Sequence, residues 1–97
     1  MLILFDQGTP VPLIRHLREH TVTTVMERGW DRLRNGDLLL TTDNCIAYQQ
    51  NLKSRRIAIV VLSRNRWRSV QRMLPRIAAT VNAATPGSYV QIDIPVR

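Results

Sequence analysis

Two aspartates in this chain occupy positions from which a carboxylate could bind a metal ion. Asp6 directly follows the apolar run Leu2 to Phe5, and Asp43 directly follows the run Leu38 to Thr42. Functional sites in open α/β sheets form outside the carboxyl ends of the strands, so both side chains could converge there. Paired carboxylates favour Mg²⁺ or Mn²⁺, which take oxygen ligands and activate water for phosphodiester cleavage. The pattern therefore predicts a metal centre held by Asp6 and Asp43.

A third aspartate, Asp37, and both candidate ligands also have ordinary structural interpretations. Asp6 precedes Gln7-Gly8 and suits the start of a turn, and Asp37 follows an Asn-Gly pair and suits a turn as well. Asp43 suits a helix N-cap, where the helix dipole favours a negative charge. By residue type alone, the structural interpretation is favoured for each of the three.

The net charge of +7 is the second informative feature, because it is unevenly distributed. Residues 1–43 contain five arginines and six acids, whereas residues 44–92 contain eight basic residues and no acid. This asymmetry predicts a polyanionic partner, either RNA or DNA, or an acidic protein. Arginine supplies 13 of the 14 basic residues, and its planar guanidinium suits bidentate phosphate contacts. The alternative is a solvated surface that keeps a small protein soluble.

Length and composition exclude several classes of protein. The 97 residues predict a single domain, 1–97, and the hydrophobic fraction of 44% is that of a globular protein. The longest apolar run, Ile57 to Leu62, has six residues, whereas a membrane-spanning helix needs about 20. Cys45 is the only cysteine, which excludes an intramolecular disulfide and an all-cysteine zinc site. We expect a soluble, cytoplasmic protein that does not span a membrane.

Five segments have the composition of β-strands and would position these residues. Continuous apolar runs predict buried parallel strands, whereas β-branched residues or strict alternation predict the others. The predicted strands are Leu2 to Phe5, Thr21 to Met26, Leu38 to Thr42, Arg56 to Ser63 and, at an edge of the sheet, Tyr89 to Ile94.

Helix signals lie between these strands. Thr9 as N-cap and Pro10 at the first helical position predict a helix that ends near His20. Apolar residues at spacings of three and four predict a long helix over 66–84, which Pro75 kinks or splits. Strands that alternate with helices predict an α/β fold with a mostly parallel sheet.

The segments on either side of the third predicted strand carry weaker signals. Asp31 to Asn35 fits one helical turn ended by Gly36, but the same Asn-Gly pair is equally a strong hairpin signal. After the strand, Asp43 or Asn44 could cap a short helix that ends near Leu52.

Five arginines predict where a polyanion would bind. Arg68, Arg72 and Arg76 fall one turn apart on the outward face of the long predicted helix. Arg64 and Arg66 lie just before this helix. Together the five are expected to attract RNA phosphates.

Seven sequence blocks occur in an order that is typical of one protein family, and together they cover most of the chain. They are Leu-Ile-Leu-Phe-Asp6-Gln-Gly-Thr-Pro-Val-Pro-Leu, Glu27-Arg-Gly-Trp30, Asn35-Gly36-Asp37-Leu-Leu, Thr41-Thr42-Asp43, Tyr48-Gln-Gln-Asn-Leu52, Arg55-Arg-Ile-Ala-Ile-Val-Val-Leu62 and Pro86-Gly-Ser-Tyr89. The set resembles a small bacterial family of PIN-like domains, a family of unknown function related to toxin ribonucleases of the VapC type. Each block alone is weak, but the set is specific.

This resemblance implies a PIN-like three-layer sandwich, in which a mostly parallel sheet of about four to five strands is flanked by helices. It also implies an acidic Mg²⁺ or Mn²⁺ centre that cleaves RNA. In that centre Asp6 matches the first metal carboxylate and Asp43 the carboxylate of the Thr-x-Asp block. Asp37 matches an intervening acid and completes the catalytic set. A toxin–antitoxin role and an acidic, antitoxin-like protein partner are implied in the same way.

The chain departs from this family between Leu39 and Leu40, where relatives carry a further helix and a turn. This internal deletion predicts the loss of one crossover helix and an uncovered apolar face, which favours a homodimer or lower stability. If residues 37–43 form one extended strand, steps of about 3.3 Å place Asp37 about 20 Å from Asp43. Two ligands of one metal cannot lie that far apart.

Three hypotheses for function follow. The first is a metal-dependent ribonuclease of PIN-like toxin type, in which water hydrolyses a phosphodiester. The second is a catalytically inactive PIN-like module that binds RNA or an acidic protein partner, because the deletion has dismantled the acid centre. The third is a structural dimer whose arginines are only solvated. Metal dependence separates the first from the second, and the salt dependence of nucleic-acid binding separates the second from the third.

Overall fold

A parallel sheet forms the centre of the computed structural model, which describes residues 1–24, 33–42 and 52–95. Its strands are β1 (Leu2–Phe5), β2 (Thr21–Thr24), β3 (Leu38–Thr41), β4 (Ala58–Leu62) and β5 (Tyr89–Ile92). Every neighbouring pair is parallel, in the order β2-β1-β3-β4-β5. Each strand lies within the segment that predicts it, and β5 is at an edge. The predicted α/β fold with a parallel sheet is confirmed.

Two short helices connect β4 to β5. Trp67–Gln71 forms α1 and Leu74–Asn82 forms α2, with Met73 between them at φ −110°. Pro75 lies in the first turn of α2, where its missing N–H removes no intrahelical hydrogen bond. The prediction that Pro75 splits the long helix is therefore confirmed. No helix among the described residues combines the length and the hydropathy needed to cross a membrane.

The helix after β1 differs in its bounds and its cap from the one predicted. Val11–His16 forms a 3₁₀ helix, and its N-cap is Pro10 rather than Thr9. The Thr9 hydroxyl instead donates a hydrogen bond to the carbonyl oxygen of Leu40 at 3.1 Å, which ties this segment to β3. The Thr9 side chain is therefore not available as an N-cap, and the helix begins without a side-chain cap. A helix is therefore present after β1, but it ends at His16 rather than near His20, and the prediction of Thr9 as its N-cap is wrong.

The Asn-Gly pair before β3 forms a turn and not a hairpin, whereas the helical turn predicted over Asp31 to Asn35 begins outside the described residues. The N–H of Asp37 donates to the carbonyl oxygen of Arg34 at 2.8 Å, and Gly36 has a φ of +92°, as a type II turn requires. The Asp37 carboxylate accepts a hydrogen bond from the N–H of Arg34 at 2.9 Å and closes the same turn. A hairpin is excluded because both neighbours of β3, which are β1 and β4, run parallel to it.

Side chains from the strands alternate between two apolar layers, one on each face of the sheet. The layer beneath the 3₁₀ helix, α1 and α2 contains Ile3, Phe5, Leu13, Leu17, Leu38, Leu40, Ala58, Val60, Leu62, Val70, Ile77, Val81, Ile92 and Ile94. The layer on the other face contains Leu4, Leu33, Leu39, Leu52, Ile57, Ile59 and Val61. Residues in both layers are at most 2% exposed, so the sheet has a core on each side.

Among the described residues, the face of the sheet that the deletion is predicted to uncover is buried. Leu39, at the centre of the second layer, is 2% exposed, and Leu33 and Leu52 from segments outside the strands pack in the same layer. The large exposed hydrophobic residues of the described chain are Met1, Val11, Tyr89 and Val90, none of which belongs to this layer. An uncovered face therefore gives no reason to expect a homodimer.

Candidate functional site

Asp6 lies at the carboxyl edge of the sheet, between the ends of β1 and β3. Phe5 pairs with Leu40, and the N–H of Asp6 donates to the carbonyl oxygen of Leu40 at 3.0 Å. Thr41 is fully buried and donates a hydrogen bond from its hydroxyl to Oδ2 of Asp6 at 2.9 Å. In the sheet, β1 lies between β2 and β3, so the strand order changes direction at β1. Sheets of this kind bind ligands at the carboxyl end of such a switch point, and Asp6 lies there.

A tight turn carries the chain away from this edge without covering it. The N–H of Thr9 donates to the carbonyl oxygen of Asp6 at 3.1 Å, so the chain reverses within four residues. Gly8 in this turn has a φ of +90°, which strongly favours glycine. A Cβ at Gly8 would lie 3.4 Å from Oγ1 of Thr42 and 3.9 Å from Nδ2 of Asn65. The turn therefore brings the backbone close to the residues that follow β3 and β4.

The other two candidate acids are placed differently. Asp43 follows Thr42 in sequence but lies outside the described residues, so its convergence with Asp6 stays a prediction. Asp37 lies at the opposite edge, because Ile3 pairs with Leu38 at the amino ends of the strands. Four steps of about 3.3 Å along β3 place Asp37 about 13 Å from the end beside Asp6. Asp37 closes its own turn there and does not share a site with Asp6.

Next to Asp6, an open polar crevice lies over the ends of β3 and β4. Its volume is about 570 Å³, and the described residues that line it are Thr42, Ser63, Arg64, Asn65, Arg66 and Ser69. Only the two arginines of this set are predicted from the sequence as site residues. The signal for the others is positional: residues directly after parallel strands reach the same edge, whether or not they are acidic.

Asp93 is an acid at this edge that the sequence reasoning does not single out. The Ser63 hydroxyl accepts a hydrogen bond from the N–H of Ile94 at 2.7 Å and donates a long one to Oδ1 of Asp93 at 3.4 Å. These contacts tie the end of β4 to the end of β5. Three strand spacings of about 4.8 Å separate β5 from β1, so Asp93 is too far from Asp6 to share a metal with it.

The five candidate arginines extend from the crevice along the helices. Arg64 and Arg66 line the crevice, whereas Arg68 is in α1, Arg72 is its C-cap and Arg76 is in the first turn of α2. All five are exposed, and none forms an ion pair with another described residue. Because the predicted helix is split at Met73, Arg68, Arg72 and Arg76 do not lie on one continuous helix.

Metal-binding side chains are sparse in the part of the chain that the structure describes. No group of three or more His, Cys, Asp or Glu side chains in residues 1–24, 33–42 and 52–95 could hold an ion. His20 shares a hydrogen bond of 2.6 Å with Oδ1 of Asn82 through Nε2, and His16 lies against Trp67 with ring centroids 6.3 Å apart. His16 therefore contacts α1 from the 3₁₀ helix, and His20 connects the segment before β2 to the end of α2. A metal at the carboxyl edge would need Asp6 and a ligand outside the described residues.

Comparison of the chain with protein-family models, with curated proteins and with solved structures finds no match. The resemblance to PIN-like domains therefore rests on the sequence blocks alone.

Proposed function

We propose that this protein is a metal-dependent ribonuclease of PIN-like type that hydrolyses RNA phosphodiesters at the carboxyl edge of its sheet. The observation that carries the proposal is the placement of Asp6 at the β1–β3 switch point, beside a crevice lined by Arg64 and Arg66. This supports the proposal because a carboxylate can bind a cation and guanidinium groups can bind phosphate, and here both kinds of group lie at the carboxyl edge of the sheet. Metal-dependent hydrolysis of a phosphodiester uses both kinds of group.

Asp6 and Asp43 are the residues that would hold Mg²⁺ or Mn²⁺. Asp6 fits this role because it is half-buried and its Oδ2 accepts a hydrogen bond from the Thr41 hydroxyl. This hydrogen bond fixes the orientation of the carboxylate, which could then also contact a cation. Carboxylate oxygens are the ligands that these hard cations prefer. A bound cation would activate water and neutralise charge on the scissile phosphate. An acidic, antitoxin-like protein would occupy the same basic surface as RNA, in a toxin–antitoxin pair.

Titration of the purified protein with Mn²⁺ tests the metal centre. We expect saturable binding by calorimetry in the wild type and a loss of that binding in Asp6→Asn, since the amide carries no charge and is a weaker ligand. Asp37→Asn is the matched control and should bind as the wild type does, because Asp37 lies at the opposite edge. A well-folded wild type that shows no saturable binding would contradict the metal centre.

A second candidate function, a catalytically inactive module for RNA or an acidic protein, is favoured by one observation. Asp6 is the only described acid at the β1–β3 junction, whereas both arginines of the crevice are in place. RNA binding without Mn²⁺ binding would support this function over the ribonuclease.

Arg68, Arg72 and Arg76 are expected to contribute to RNA affinity. Changing all three to glutamine should weaken binding to single-stranded RNA and reduce the slope of log K against log salt by about two, since each phosphate contact contributes about 0.7. The measurement is fluorescence anisotropy over a series of salt concentrations.

The matched control changes the exposed Arg15, Arg18 and Arg34 to glutamine, which removes the same charge elsewhere on the surface. This variant should retain more affinity and a steeper slope than the first. Equal losses in the two triple variants would show that only net charge matters, and the assignment of the helical arginines would then be wrong.

A further inference from the structure

The side chains of the crevice are almost all hydrogen-bond donors. Arg64 and Arg66 contribute guanidinium N–H groups, Asn65 an amide, and Thr42 and Ser69 hydroxyl groups. None of the described residues that line the crevice is acidic, and Asp6 is not among them. A cavity that offers charged and neutral donors from one side attracts an oxyanion rather than a cation.

Ser69 is the most informative of these residues. It is 1% exposed, yet it lines the crevice, and among the described residues its hydroxyl has no hydrogen-bond partner. The Ser69 hydroxyl is not one of the enclosed polar atoms that lack a partner, so the small exposed part of this residue lies at the crevice, where its hydroxyl could donate to a bound group. Arg64, Asn65 and Arg66 likewise form no side-chain hydrogen bonds within the described chain, so their donors are available to a ligand.

We propose that the crevice is a phosphate-binding subsite that holds a nucleotide phosphate through Arg64, Asn65, Arg66 and Ser69 without a metal ion. Phosphate oxygens accept the hydrogen bonds that these side chains offer, and bidentate contacts from arginine suit their geometry. The volume of about 570 Å³ lies within the range of small-molecule sites and leaves room for the attached nucleoside. The absence of a side chain at Gly8 keeps the crevice open beside Thr42.

This subsite is distinct from the proposed metal centre. Asp6 is bound to Thr41 at the junction of β1 and β3, whereas the crevice lies over the ends of β3 and β4, with Ser69 on α1. Phosphate binding there needs no divalent cation. The inference shares Arg64 and Arg66 with the proposed function, but binding in the presence of EDTA tests the subsite without the metal centre, so the two can fail separately.

Isothermal titration calorimetry with inorganic phosphate in the presence of EDTA tests the subsite, followed by a nucleoside 5′-monophosphate and a dinucleoside monophosphate. We expect saturable binding at a single site and at least equal affinity for the nucleoside monophosphate. The Arg64→Gln/Arg66→Gln double variant should bind about tenfold more weakly, because charge-assisted hydrogen bonds are lost. Ser69→Ala should weaken binding about threefold without affecting the fold, since it removes only one neutral donor.

The control is the Arg15→Gln/Arg18→Gln double variant, which has the same net charge as the first but changes exposed residues outside the crevice. It should bind phosphate as the wild type does. Absence of saturable phosphate binding by the folded wild type, or equal weakening in both double variants, would overturn the subsite. Tighter binding of the diester than of the monoester would place an internal phosphate of a strand there, and would overturn the assignment to a nucleotide phosphate.

Discussion

Asp6→Asn is expected to reduce metal-dependent RNA cleavage about a thousandfold, because loss of a metal ligand removes several kcal/mol of transition-state stabilisation and each ~1.4 kcal/mol is a factor of ten. Asparagine has nearly the same shape as aspartate and retains an oxygen that can accept the Thr41 hydrogen bond. The position of Asp6 between β1 and β3 should therefore be unchanged. The loss of activity would report on chemistry rather than on folding.

The measurement is the cleavage rate of a labelled single-stranded RNA in Mn²⁺, with circular dichroism as the check on folding. Asp37→Asn is the matched control, and the structure makes it a sharp one. The sequence resemblance assigns both aspartates to the catalytic set, but the sheet places Asp37 at the amino edge, in a turn with Arg34. Asp37→Asn should retain the full rate. Full activity in Asp6→Asn, or equal losses in both variants, would contradict the site.

Leu39→Ala is expected to lower the free energy of unfolding by about 2–5 kcal/mol, the usual result of opening a cavity in a packed core. Leu39 is 2% exposed and lies between Leu4 on β1 and Ile59 on β4. A domain of this size has a total stability of about 5–15 kcal/mol, so this loss is a large share of it. The midpoint of thermal unfolding should fall by about 10 °C or more.

Urea unfolding followed by circular dichroism gives the change in free energy directly. Val11→Ala is the control, because Val11 is 61% exposed and its truncation should change stability by less than about 0.5 kcal/mol. The comparison tests whether the second face of the sheet is covered. A loss at Leu39 no larger than at Val11 would mean that this face is open to solvent, as the deletion alone suggests.

The strands could be predicted from the sequence because burial leaves a local signature. The runs ending at Phe5 and Leu62 are continuous and apolar, as strands covered on both faces must be. The split at Pro75 was predictable for a similar reason, since a proline inside a helical pattern removes a hydrogen bond wherever the rest of the chain lies. These features depend on a few neighbouring residues only.

The features that the sequence does not predict depend on pairing between distant segments. Thr9 is of a residue type that commonly caps helices. Its hydroxyl instead donates a hydrogen bond to the carbonyl oxygen of Leu40, which is 31 residues away in sequence. The resemblance assigns Asp37 to the same catalytic set as Asp6, but the register between β1 and β3 places Asp37 at the amino edge of the sheet. Asn65 and Ser69 belong to no sequence motif: Asn65 lies in the loop after β4 and Ser69 in α1, and only the fold shows that both line the crevice.

The all-parallel pairing of the sheet has a consequence for how fast this chain folds. Paired residues lie far apart in sequence: Leu2 and Thr21 are 19 residues apart, and Ile3 and Leu38 are 35 apart. The sheet contains no hairpin that could nucleate locally, so every strand pair must close a long loop before its contacts form. Chains with such high contact order fold in about milliseconds to seconds rather than microseconds. Until the strands pair, the apolar runs of β1, β3 and β4 remain exposed, and association between chains competes with folding.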